Sequence, residues 1–155
     1  MSYEELLEEA DAAELVVKEK PLLNNGGDIK GRKIAIRQDI STTSKKADNL
    51  TEEMGHYYTS ASRIVEQDST ESMKQERSAR LWGYNKRIGL TGLIEAFKAH
   101  RENLYDIAEY LDVSEDSIAE ALEYYRQIYG TEVMVNNYFL QFEPYLQIHT
   151  MIVIE

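Results

Sequence analysis

Apolar residues recur at helical spacing over residues 4–14, where Leu6, Leu7, Ala10 and Ala13 share one side, and the pattern then gives way to the β-like run Leu15-Val16-Val17-Lys18. Pro21 and the cluster Asn24-Asn25-Gly26-Gly27 interrupt it, after which Ile29 and the alternating Ile34 and Ile36 predict two paired strands turning near Gly31. A long helix is predicted from Ser41 or Thr42, either of which can cap it, to about Ala61. Ala47, Leu50, Met54, Tyr57 and Tyr58 form its apolar side, so most of this helix should be buried. Residues 67–72 are polar and read as a loop, and residues 73–87 read as the next helix, carrying Ala79, Trp82 and Gly83. Three more helices are predicted over 92–100, 103–111 and 114–129, the last capped by Ser114 and stopped at Gly130. Composition then turns strand-like at 132–135, 138–142 and 145–153. The fold class these elements predict is α+β, mostly helical with a small antiparallel sheet. Residues 131–155 form a C-terminal extension on a domain spanning 1–130. Tyr138, Phe139, Phe142 and Tyr145 of the extension either cover the sheet or join two copies of the chain.

A chain of 155 residues fits one hydrophobic core. It contains no cysteine, so disulfides and thiolate metal sites are excluded and any metal must be held by His, Asp or Glu. The acidic, amphipathic start and the lack of a long apolar run lead us to expect a cytoplasmic protein. The formal charge of −11 disfavours direct contact with nucleic acid and favours a basic partner, although acidity also serves solubility alone.

Within the long helix lies Glu52-Glu53-Met54-Gly55-His56, the pattern H-E-x-x-H with glutamate at its first position. In that pattern positions i and i+4 bind a metal from one helix face and the Glu at i+1 acts as general base. Glu52 and His56 keep the spacing, and Glu53 falls where the base belongs. A solvated face of charged residues gives the same string, so the pattern alone does not decide. If the carboxylates converge in a dry interior, a cation among them explains their ionisation. Asp48, one turn earlier, reads as an ordinary exposed aspartate or as a residue orienting a ligand.

Three ordered segments carry a resemblance to a known family. They are the stretch Asp28-Ile29-Lys30-Gly31-Arg32-Lys33-Ile34-Ala35-Ile36-Arg37, the helix segment from Ala47 through His56 to Thr59, and Lys74-Gln75-Glu76-Arg77-Ser78-Ala79-Arg80-Leu81-Trp82. Together they resemble the ImmA/IrrE family of metallopeptidases, most closely the short forms carried by phages and mobile elements of Gram-positive bacteria, over about Tyr3 to Gly130. The resemblance implies a minimal zincin-like domain in which Glu76 is the third metal ligand beside Glu52 and His56. Taken without it, Glu76 lies i, i+4 from Arg80 and an exposed ion pair explains it equally. Oxygen-rich ligands suit zinc, and admit manganese or iron more readily than an imidazole-rich set does.

The function implied is a metal-dependent endopeptidase that cleaves a helix-turn-helix repressor, with Glu53 moving the proton. The alternatives are a non-hydrolytic antagonist that binds such a repressor, and a metal-stabilised structural protein. The hairpin edge offers a place for an extended peptide to add as a strand. Residues 105–114 resemble the turn of a helix-turn-helix, but Glu115, Asp116, Glu120 and Glu123 would present acid to phosphates, so packing is the expected role. Trp82 is expected to fill the core, and His100 and His149 fall outside the three segments.

Overall fold

The computed structural model describes residues 1–60 and 69–151. Its architecture is α+β and mostly helical, as the pattern predicts. Ser2 begins α1 (Tyr3–Ala12) with a full capping box, its hydroxyl accepting from the Glu5 N–H while the Glu5 carboxylate accepts from the Ser2 N–H. Leu6 and Ala10 point inward, one turn apart.

The first sheet holds β1 (Val16–Lys20), β2 (Gly27–Lys30) and β3 (Lys33–Arg37). Gly31, at φ +60°, makes the β2–β3 turn where the sequence places it. β1 does not extend the hairpin in sequence order. It pairs in parallel with β3, giving the order β1-β3-β2 and a mixed sheet rather than an all-antiparallel one. Residues 21–26 therefore carry the chain from one edge of the sheet to the other, and β2 is left as an edge beside the next helix. Ile34 and Ile36 of β3 face the core, packing with Leu6, Ala10, Leu50 and Met54.

That helix, α2 (Thr43–Thr59), is capped by Thr42, whose hydroxyl accepts from the Lys45 N–H at 3.1 Å. The helix ends at Thr59 with Ser60 as its C-cap; Ala61, the predicted end, lies outside the described residues, as do Gln67 and Asp68 of the predicted loop. Residues 69–72 of that loop are instead the first turn of α3 (Ser69–Arg87). Ser, Thr and Glu suit a helix N-terminus, where Glu71 meets the positive end of the dipole, so polarity there marks a helix start rather than a loop.

α2 and α3 pack antiparallel and very closely. Gly55 faces Ala79 and Thr51 faces Gly83, and a Cβ built on Gly55 would stand 2.3 Å from the Ala79 carbonyl oxygen. Trp82 packs at the edge of the α1–sheet cluster and stacks on Tyr58 with ring centroids 5.0 Å apart.

The rest of the chain is α4 (Gly89–Lys98), α5 (Leu104–Leu111) and α6 (Glu115–Tyr129), followed by an antiparallel sheet of β4 (Glu132–Val135), β5 (Tyr138–Gln141) and β6 (Gln147–Thr150). Ile152 and Val153 of the last predicted strand lie outside the described residues. Leu140 and Phe142 enter one cluster with Leu93, Ile107, Ile118 and Tyr125, so the C-terminal strands cover the helices rather than the first sheet. Ile107, Ala108, Val113 and Ile118 bury the α5–α6 junction, the packing role expected for the helix-turn-helix-like segment.

Candidate metal centre

The close approach at Gly55 and Ala79 sets Glu52 and His56 of α2 opposite Glu76 of α3. Each offers one ligand atom, and these atoms all lie within 4.8 Å of one another. His56 Nε2 stands 3.1 Å from Glu76 Oε1, and its side chain is only 11% exposed. The i, i+4 ion pair between Glu76 and Arg80 does not form. Arg80 instead places Nε 3.6 Å from Glu52 Oε1, because the two α3 side chains diverge to meet successive turns of α2.

Glu53 points to the other side of the same cleft. It is 9% exposed, and the backbone of β2 lies over it: a Cβ on Gly27 would stand 3.0 Å from Glu53 Cγ and 3.2 Å from its Oε1. Any larger residue at position 27 would crowd this carboxylate. Burial pushes Glu53 up to about 7, helped by the negative charges of Glu52, Asp28 and Glu76. Burial also raises Glu52, with Arg80 opposing the shift. The cleft, of about 580 Å³, is lined by Glu52, Glu53, His56 and Glu76 together with the loop Asn24 to Gly27.

The donor set suits a divalent cation. Two donors held about 2.1 Å from a common ion lie at most about 4.2 Å apart, so a cluster within 4.8 Å needs only rotamer-scale closure. A cation between Glu52 and Glu76 would offset the negative charge that each brings to the cluster. His56 Nδ1 is buried without a hydrogen-bond partner among the described residues, so the carbonyl or carboxylate that usually orients a ligating imidazole is not supplied there.

Asp48 is not the exposed aspartate expected from the sequence, nor does it turn toward the cluster. It pairs with Arg87, whose side chain is 2% exposed, and accepts a 2.8 Å hydrogen bond from the Ser114 hydroxyl. Arg87 also donates to the Asp112 carbonyl. This hub ties α2 and α3 to the start of α6. Nothing local in the sequence marks it as a whole, because its members lie 39 and 66 residues apart. The capping role of Ser114 was its visible trace. His100 and His149 are exposed and stand apart from the cluster. No helix among the described residues is long and apolar enough to cross a membrane. No family model matches the chain, and no curated protein or solved structure matches it either.

Proposed function

We propose that this chain is a metal-dependent endopeptidase of the ImmA/IrrE type, acting in the bacterial cytoplasm on a helix-turn-helix repressor of a phage or mobile element. The observation that carries the reading is the convergence of Glu52, His56 and Glu76 beside the buried Glu53 in one cleft. Glu52, His56 and Glu76 would hold the ion, zinc by preference and manganese or iron as alternatives. When bound, the ion supplies Lewis acidity toward the scissile carbonyl and the attacking water.

The remaining chemistry belongs to the protein. Glu53, with its carboxyl group raised to about 7, is poised near neutral pH to take the proton of the attacking water and hand it to the leaving amine. Gly27 and Asp28, on the edge strand β2, line the cleft, so a peptide added to that edge would pass the cluster in extended form. The repressor as substrate follows from the family resemblance, and the charge of −11 agrees with a basic partner.

One observation favours a second reading, that of a non-hydrolytic antagonist: Arg80 already neutralises Glu52 without any metal. Two measurements separate them. Protein purified without chelator should carry about one equivalent of metal by plasma mass spectrometry, lost in a Glu52→Ala, His56→Ala double variant. Glu53→Gln, folded and metal-loaded, should lose about 10²–10⁴-fold in cleavage rate. Undiminished cleavage by Glu53→Gln would remove the general-base assignment, and absence of metal after reconstitution would favour the antagonist.

A further inference from the structure

A second cavity, of about 350 Å³, lies on the α6 side of the α2–α3 pair and shares Asn49, Glu52 and Arg80 with the metal cleft. The two spaces therefore meet at the Glu52–Arg80 contact.

The charges around this cavity are not equivalent. Arg87 is committed to Asp48 and to the Asp112 carbonyl. Glu120 accepts a hydrogen bond from the Tyr84 phenol. Arg37 pairs with Asp39 at 2.8 Å, and Lys45 and Asp116 bring one charge of each sign to the lining. Arg80 differs from these. Its side chain is 45% exposed, and its ion-pair partner among the described residues is Glu52, at 3.6 Å. That separation is longer than an ordinary hydrogen bond, so the contact is a loose one held mainly by charge, and Glu120 adds a second negative charge near the guanidinium. Once Glu52 turns to an ion, Arg80 loses its ion-pair partner and keeps only the weaker influence of Glu120, itself hydrogen-bonded to Tyr84, while standing at the mouth of a polar cavity. A guanidinium so placed is a bidentate site for a carboxylate.

We propose that this cavity receives an acidic side chain, Asp or Glu, of a peptide lying in the metal cleft, and that Arg80 grips its carboxylate when Glu52 is diverted to the metal. The proposal rests on the metal-centre reading for its trigger, but the pocket can be tested without any metal, because Glu52→Gln removes the same counter-charge.

The probes are N-acetyl-aspartate methylamide and its asparagine counterpart, titrated into the full chain and followed by the Arg80 Nε–H signal in nitrogen-15 NMR and by calorimetry. Metal-stripped wild type should bind the aspartate probe weakly. Metal-stripped Glu52→Gln should bind it about tenfold or more tightly, and should prefer it to the asparagine probe by a similar factor. The Glu52→Gln, Arg80→Gln double variant should lose that gain. Zinc-loaded wild type should match Glu52→Gln, and zinc-loaded Arg80→Gln should keep its zinc but not the probe. Equal binding of the probe by Glu52→Gln and by the double variant, or equal binding of the two probes, would overturn the pocket whatever the metal content. Failure of wild type to take up zinc would instead overturn the metal trigger, leaving the Glu52→Gln comparison to decide the pocket.

Discussion

Replacing Gly55 by alanine sets two effects of opposite sign against each other. In an isolated helix the change should stabilise by about 1 kcal/mol, because glycine is the poorer helix former. In this fold the new methyl would stand 2.3 Å from the Ala79 carbonyl oxygen and 3.0 Å from its Cα, where ordinary contact begins at 3.4 Å. The obstacle is backbone, so no rotamer change relieves it, and α3 must retreat by about 1.1 Å along that contact. Overpacking of this kind costs about 1–3 kcal/mol, and a backbone clash belongs at the upper end. The net expectation is a loss of about 2 kcal/mol, or about 4–8 °C in Tm for a chain of this size. The control is Gly83→Ala on the facing helix. Its Cβ would meet Thr51 at 3.4–3.5 Å, so the gain in helix propensity should survive and stability should hold or rise. The same retreat would draw Glu76 away from His56 Nε2, now 3.1 Å distant, and weaken metal uptake. Thermal unfolding by circular dichroism, with a metal titration on each variant, reads both effects. If Gly55→Ala melts at or above wild type and binds metal unchanged, the close approach does not build the site.

Other consequences are open to direct measurement. Metal at 100 times its Kd should stabilise the native state by about 2.7 kcal/mol and raise Tm by about 5–10 °C, with no rise in Glu76→Ala; a melting temperature indifferent to metal would count against the cluster as a binding site. Asp48→Ala strands the Arg87 guanidinium, whose side chain is 2% exposed, and should cost about 3 kcal/mol by urea unfolding; a cost under about 1 kcal/mol would show the pair to be dispensable. For metal-free protein, the raised Glu53 makes the folded state hold a proton that the unfolded state has released. Its contribution is present below the ordinary value near 4.5 and is lost as pH rises to about 7, so stability should decline across that window and the decline should shrink in Glu53→Gln, the remainder belonging to the raised Glu52.

What the sequence discloses is what a single element records about itself. The 3.6-residue spacing of Ala47, Leu50 and Met54 reports that α2 is buried, and all three are. The i, i+4 spacing of Glu52 and His56 places them on one face, and the structure finds them in one cluster. Partnerships between elements leave no such record. Nothing local says that Arg87 will find Asp48, that Arg80 will prefer Glu52 to Glu76, or that β1 will join β3 in parallel. Gly55 is visible as a glycine in a helix, but its reason, the Ala79 carbonyl, belongs to another segment. The Ser2–Glu5 capping box, by contrast, is a local signal, spelled S-x-x-E in the sequence itself.

The strand order β1-β3-β2 also bears on how the chain reaches this state. β2 and β3 are joined by a two-residue turn, so their pairing closes a loop of minimal length, whereas Val16 must wait for Lys33, 17 positions on. Short closures cost less chain entropy and form sooner. The strand that lines the cleft thus belongs to the early, local hairpin, and β1 is the late arrival on the far edge. The expected order under pulse-labelled hydrogen exchange is protection of the β2–β3 amides first, with the β1 amides following.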